Sequence, residues 1–312
     1  MALRFWSAPR AYVSLAALGV IAGVGSADAQ IPLSGYDSDD FIVAFSEAGS
    51  TFQPGNPNSI GSIVVFDSDR TFKGYLDPFF DTVSGMDFDA AGRVVATSAA
   101  ANEVRVYTPD GDLVPELSFS SPALGAAIDL KVGPSGNYFV GTQSSRGARG
   151  IVEFTPSGDA VRSFDNPDAA NSADYDGVAV LPGGVLWGGG FGLPPGDFID
   201  VHDIESGGLS SRIAFDNGQS SAVSMFYDRN TDTVLTVDID ADMVFERDLD
   251  GNFLRSFEVP DGVVGNAGDP IIMNTSLGVT RGPNGEVYAT NQGTLSNVPG
   301  ATDGNGIFVW DA

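Results

Sequence analysis

The sequence predicts an all-β chain folded as a β-propeller, with six four-stranded blades. Three observations carry that expectation. Apolar residues alternate or come in runs of three to five, and helical periodicity is nearly absent beyond the first thirty residues. A small or acidic turn residue followed at once by a short apolar strand recurs at Asp40, Gly92, Gly136, Gly184, Asp232 and Gly285. The intervals between those turns are 52, 44, 48, 48 and 53 residues, the length of one four-stranded blade. A two-sheet sandwich needs no fixed repeat, so the periodicity favours the propeller.

Each unit can be read in order. The turn leads into a strand such as Gly92-Arg-Val-Val or Gly184-Val-Leu-Trp. A second strand ends in an aromatic residue, as in Ile63-Val-Val-Phe66, Val104-Arg-Val-Tyr107, Ile151-Val-Glu-Phe154 and Ile307-Phe-Val-Trp310. A third follows its own turn, as in Ala160-Val-Arg-Ser-Phe164 and Phe253-Leu-Arg-Ser-Phe257. The fourth precedes the next turn and is expected to be innermost: Gly85 to Phe88, Ala127 to Leu130, Gly177 to Val180, Ser221 to Ser224 and Leu277 to Thr280. Turns rich in Asp-Gly, Ser-Gly and Asn-Gly join them, which suits a chain with 40 glycines.

The two ends are irregular. The first unit lacks an obvious innermost strand, and the last stops at Trp310-Asp311-Ala312 without an outermost one. Ile31 to Tyr36 are expected to supply that last strand and so remove an exposed edge. Five and seven blades are the neighbouring counts. Glu47 to Gly61 and Pro260 to Ser276 are rich in Gly, Asn and Pro and read as long face loops.

Residues 1–29 read as a signal peptide. Arg4 and Arg10 precede the apolar stretch Tyr12 to Val24, and Ala27-Asp28-Ala29 offers a cleavage pattern before Gln30. The stretch is too short to span a membrane, and no later segment is long enough. Residues 30–312 are then one propeller domain, exported to the periplasm or the extracellular space and expected to be a monomer. Composition excludes several function classes. With 15 Lys+Arg against 41 Asp+Glu, the net charge of −26 repels nucleic acid. The absence of cysteine excludes a disulfide scaffold, a thiolate nucleophile and Cys-ligated metals. The acid is mostly aspartate, 33 Asp to 8 Glu, which fits a turn-rich chain in a saline medium or one that binds cations.

Few residues carry chemistry in their pattern. His202, the one histidine, sits in Ile199-Asp-Val-His-Asp203 where other units carry Phe66, Tyr107 or Phe154. It reads as an amphipathic ring in a repeat position, with a general base oriented by Asp200 or Asp203 as the functional alternative. Gly188-Gly-Gly-Phe-Gly192 opens no helix, so it reads as a blade loop and not a phosphate cradle. Asp238-Ile-Asp-Ala-Asp242 lacks the Gly and Glu of an EF-hand loop, yet strand alternation would put its three carboxylates on one face. A solvated edge is the simpler reading there, with Ca²⁺ as the other. Asp37, Asp39 and Asp40 read as a solvated turn. The residues just before each innermost strand are small, polar or acidic and converge on the propeller axis. Their carboxylates suit a hard cation such as Ca²⁺ as well as they suit water, with Asp129, Asp174 and Asp176 as metal candidates. Tyr175, Ser221 and Asn274 are the ligand-binding candidates.

Asp248 to Phe257 and Gly278 to Tyr288 resemble the repeats of NHL propellers. The unit count is similar to that of the senescence-marker/gluconolactonase group. In particular, Asp176-Gly-Val-Ala-Val-Leu-Pro-Gly-Gly-Val-Leu-Trp187 resembles that group's segment around a metal-binding aspartate. That resemblance implies a Ca²⁺-dependent hydrolase or lactonase with Asp176 as a ligand. The residues alone support a different first expectation: an exported binding or scaffold module for a protein, glycan or small ligand.

Overall fold

The recurring turns set the blades. At Gly92 the chain takes φ +74°, a left-handed conformation that costs a residue without a Cβ nothing. Gly136, Gly184 and Gly285 repeat it, and Asp232 adopts it at φ +53° despite its side chain, whereas Asp40 does not. The hairpins at Gly92, Gly136 and Gly285 close the same way; Gly92 N–H donates to Asp89 O and Asp89 N–H to Arg93 O, both at 3.0 Å. The computed structural model describes residues 3–5, 35–36, 40–45, 62–67, 71–77, 80, 83–99, 101–142, 150–165, 175–190, 198–238, 241, 243–258, 278–282, 285–291 and 306–311.

Six antiparallel sheets result, as expected. Blade one holds β2 (Phe41–Phe45), β3 (Ser62–Phe66) and β4 (Phe72–Asp77). Blade two holds β5 (Val83–Phe88), β6 (Val94–Ser98), β7 (Glu103–Tyr107) and β8 (Phe119–Ser120). Blade three runs through β9 (Ala127–Val132), β10 (Tyr138–Thr142), β11 (Gly150–Phe154) and β12 (Ala160–Phe164). Blade four follows with β13 (Gly177–Leu181), β14 (Val185–Gly189), β15 (Phe198–Asp203) and β16 (Leu209–Ala214). Blade five is β17 (Ser224–Asp228), β18 (Thr233–Asp238), β19 (Met243–Asp248) and β20 (Phe253–Glu258). Blade six takes β21 (Val279–Arg281), β22 (Val287–Asn291) and β23 (Gly306–Trp310), with β1 (Leu3–Phe5) at its outer edge.

Register identifies what blade one lacks. Its last pair slips at Phe66↔Phe72, as the outer pairs of blades three to five do at Phe154↔Ala160, His202↔Leu209 and Arg247↔Phe253. The three strands are therefore the second to fourth of a blade. The innermost strand is the one missing among the described residues.

The outer edge of blade six corrects an expectation. Leu3–Phe5 pairs there, Leu3 opposite Trp310 and Phe5 opposite Phe308, in place of Ile31 to Tyr36. Residues 31–34 lie outside the described residues, but Tyr36 is committed to blade two. Its N–H donates to Pro109 O at 2.8 Å, and its hydroxyl donates to Gly92 O at 2.8 Å while accepting from Val94 N–H at 3.0 Å. A buried phenol needs such partners, and here they are turns far in sequence from β23.

Most of the described core lies between blades, although Val43, Val64 and Phe66 cluster within blade one. Phe139, Ile151 and Phe164 of blade three meet Tyr175, Val178 and Leu186 of blade four. Trp187 and Ile199 of blade four meet Ala222, Met225 and Val234 of blade five. Buried carboxylates on the third strands are matched by arginines directly opposite on the fourth: Glu153–Arg162 at 3.0 Å, Asp200–Arg212 at 2.8 Å and Glu246–Arg255 at 2.6 Å. Two of these pairs reach the next blade. Arg162 donates to Ile204 O and Glu205 O at 2.8 Å, and Arg281 of blade six binds Glu246 at 2.6 Å and Asp228 at 2.8 Å.

Glu246 gives this network a pH signature. Burial pushes its carboxyl up, but hydrogen bonds from Arg255, Thr233 and Arg281 outweigh that and hold it below the usual range. Folding thus favours the ionised form. Its contribution is present above pH 4.5 and is lost as the pH falls through the lower folded value. In urea titrations, the gap between wild type and Glu246→Gln is expected to narrow below pH 4.5. A gap that stays constant would mean that Glu246 is not held ionised by its arginines.

Candidate functional site

The inner strands β5, β9, β13, β17 and β21 follow one another around the axis. An inner edge has no neighbouring strand, so its N–H and C=O groups need other partners. Side chains of the preceding blade supply them. Asp87 Oδ2 accepts from Val132 N–H at 2.8 Å, and Asp129 Oδ2 accepts from Val178 N–H at 3.0 Å. Ser84 Oγ donates to Ala127 O at 2.6 Å. Lys131, one of two lysines, closes on Asp129 Oδ1 at 2.5 Å, where Leu130 N–H also donates at 2.8 Å. Burial pushes the Asp87 carboxyl up, against the opposing pull of Lys131 and two backbone N–H groups. These carboxylates clasp one blade to the next.

That arrangement bears on calcium. An oxygen ligand must turn a lone pair to the cation, whereas Asp129 turns both oxygens to an ammonium and to N–H donors. Asp176 is buried at the start of β13, and Asp174 lies outside the described residues. Among the described residues no group of three or more Asp, Glu or His is placed to hold a metal ion. Asp129 as placed does not offer a free oxygen to the Ca²⁺ implied by the lactonase resemblance, and no chemical step is derived through that ion.

Of the other acidic candidates, Asp238 and Asp40 are internal fittings. The strand that was expected to carry Asp238, Asp240 and Asp242 on one face ends at Asp238. Its carboxylate collects donors: Ser220 N–H, Ser220 Oγ at 3.1 Å, Ser221 N–H at 3.0 Å, Ser221 Oγ at 2.9 Å and Ala241 N–H at 3.0 Å. Asp240 and Asp242 lie outside the described residues, as do Asp37, Asp39 and Asn274. Asp40 pairs with Lys73 at 2.6 Å. Ser221, a ligand-binding candidate, is fully buried and spends its N–H and hydroxyl on Asp238.

Tyr175 and His202 do come together, and sequence reasoning placed them apart. Alternation along β15 puts Asp200 and His202 on the face turned to blade three. Tyr175, just before β13, lies against Gly188, where an added Cβ would meet its ring at 3.0 Å. The Tyr175 hydroxyl reaches Asp200 Oδ2 at 2.5 Å and His202 Nε2 at 3.1 Å. His202 is 1% exposed, edge-on to Phe164 and Tyr175 with ring centres 5.7 Å away in both cases. Burial lowers its pKa, against Asp200 and Asp165, which favour the charged ring. Its position is that of the repeat aromatic, as the sequence suggested. The run Gly188-Gly189, read as loop, instead ends β14 and makes room for Tyr175.

Comparison with known proteins places the fold alone. No family profile matches the chain, and no curated protein matches it in sequence. Among solved structures, a protein of unknown function from Bacteroides caccae is 15% identical, with a TM-score of 0.52 over 74% of this chain and 79% of its own. Virginiamycin B lyase from Staphylococcus aureus is 16% identical, with a TM-score of 0.51 over 88% of this chain and 89% of its own. A catalytically inactive histidine-to-alanine form of that lyase with quinupristin is 16% identical and scores 0.51 over 85% and 88%. Neither NHL-repeat nor gluconolactonase membership follows from these matches.

Proposed function

We propose that this chain is an exported β-propeller that acts as a binding or scaffold module for a protein, glycan or small ligand. The observation that carries the reading is the use made of its chemical groups. The inner-strand carboxylates Asp87 and Asp129 hold the neighbouring blade, and Asp238 holds the segment leading into β17. The one imidazole is packed between two blades. What remains for recognition is the loop surface on a rigid frame, the usual division of labour in repeat folds.

Two catalytic readings have less support. Lactonase chemistry would need a cation at Asp176, and of the two other metal candidates Asp129 already faces Lys131 while Asp174 lies outside the described residues. Lyase chemistry of the virginiamycin type belongs to a protein that an histidine-to-alanine change inactivates. The one histidine of this chain is internal. Export rests on residues 1–29. Their removal takes β1 with them and frees the outer edge of β23 from that partner.

Mass spectrometry and elemental analysis of the exported protein test the reading together. The expected result is a monomer beginning at Gln30 that carries no stoichiometric calcium and does not turn over lactones. One tightly bound calcium per chain together with lactone hydrolysis would replace this reading with the lactonase one.

A further inference from the structure

The junction between blades three and four contains a buried imidazole whose two nitrogens are treated differently. Asp200 is paired with Arg212, whose Nε lies 2.8 Å from its Oδ1, and Arg212 is itself stacked on Phe198 at 4.1 Å. The Tyr175 hydroxyl therefore donates its proton to Asp200, at 2.5 Å. Towards His202 Nε2, at 3.1 Å, that hydroxyl acts as acceptor. The ring hydrogen is thus on Nε2, and Nδ1 carries a bare lone pair. Nδ1 is buried and makes no hydrogen bond among the described residues. Every other unit with a described residue at this register holds an aromatic ring or, in blade five, an arginine with several acceptors. His202 alone can change its charge near neutral pH.

We infer that this junction is an acid-sensitive joint: a proton arriving at Nδ1 creates a buried cationic donor with no acceptor, and relieving it loosens Tyr175 and the start of β13 beside the axis. The charged groups acting on the ring are Asp200 and Arg212 on its own blade and Asp165 on blade three, whose strands β11 and β12 also carry the Glu153–Arg162 pair. Asp165 and Asp200 favour the imidazolium and Arg212 opposes it, but burial comes first and the folded ring is the weaker base. The sign follows. A ring held neutral by folding contributes full stability above the unfolded value of 6.5 and loses it as the pH falls below that.

The chain has a single histidine, so its ring signals need no assignment. In long-range proton–nitrogen spectra of the intact protein, the Nε2–H tautomer is expected at neutral pH, with a titration midpoint below 6.5. Protection of the β13 amides, corrected for intrinsic exchange, is expected to fall between pH 7 and about 5, the range over which a histidine charges. In His202→Phe, which restores the repeat aromatic, that fall is expected to vanish. An Nδ1–H tautomer, a midpoint at or above 6.5, or equal losses of protection in both proteins would overturn the joint. If the variant does not fold, the tautomer and midpoint of the wild type decide alone.

Discussion

Replacing Gly85 by alanine is expected to destabilise the protein by at least about 3 kcal/mol, the upper range for an overpacked core. The added Cβ would stand 2.4 Å from Leu130 N and 2.7 Å from Asp129 C. Both are backbone atoms of the next inner strand and cannot turn aside. Blades two and three would have to part at their closest approach, where Asp87 and Ser84 also reach across. Gly92 is the control. A Cβ there meets nothing within 4 Å, and only its φ of +74° disfavours a side chain. Gly92→Ala should therefore cost about 1 kcal/mol. Urea midpoints of the two variants check this, and equal losses would show that contact between the inner strands is not what Gly85 serves.

Arg247→Ala is expected to cost about 2–4 kcal/mol, because it leaves two buried neutral acceptors unsatisfied while its charged partner Asp216 is half exposed. The guanidinium is 1% exposed and ties the junction of blades four and five together. Its Nε and Nη2 donate to Gln219 Oε1 at 3.1 and 2.7 Å, Nη1 to Gly251 O at 2.7 Å, and Nη2 to Asp216 Oδ1 at 2.6 Å. Truncation strands the Gln219 and Gly251 acceptors in a dry site. Arg247→Lys should recover only part of the loss, because one ammonium cannot serve acceptors spread around a planar fork. The melting order wild type, lysine, alanine checks this. A lysine variant as stable as wild type would show that charge, not the fork, is what matters.

Much of the frame was legible because propeller turns are local. Of the six turns read from spacing alone, Gly92, Gly136, Gly184, Asp232 and Gly285 have the left-handed φ that such a hairpin requires, and Asp40 does not. The aromatic register was legible too, which is how His202 could be placed as a substitute for Phe154 and its equivalents. The site was not legible, since its contacts join residues far apart in the chain. Asp87 meets Val132 across 45 positions and Asp129 meets Val178 across 49. Sequence shows a carboxylate near the axis; it does not show that a backbone N–H of the next blade has already claimed it. Tyr175 illustrates the same limit. Its aromatic character suggested a ligand platform, but the gap above Gly188 draws it into the junction. At the chain ends, pattern offered Ile31 to Tyr36 as the outer strand, while the distant turns of blade two hold Tyr36 elsewhere.

The melting temperatures of wild type and Asp129→Asn, each in millimolar Ca²⁺ and in chelator, test most directly whether the inner-strand carboxylates join blades and do not ligate a metal. The expected result is a wild type that melts at one temperature in both media, and a variant that melts lower by the same amount in each. The loss reflects the weakened hold on Lys131 and Val178, worth about 1–3 kcal/mol for hydrogen bonds to a charged group. A bound ligand at a hundredfold excess over its Kd would raise wild-type stability by about 2.7 kcal/mol. A wild type that melts clearly higher in Ca²⁺, with a variant that has lost that gap, would contradict the account.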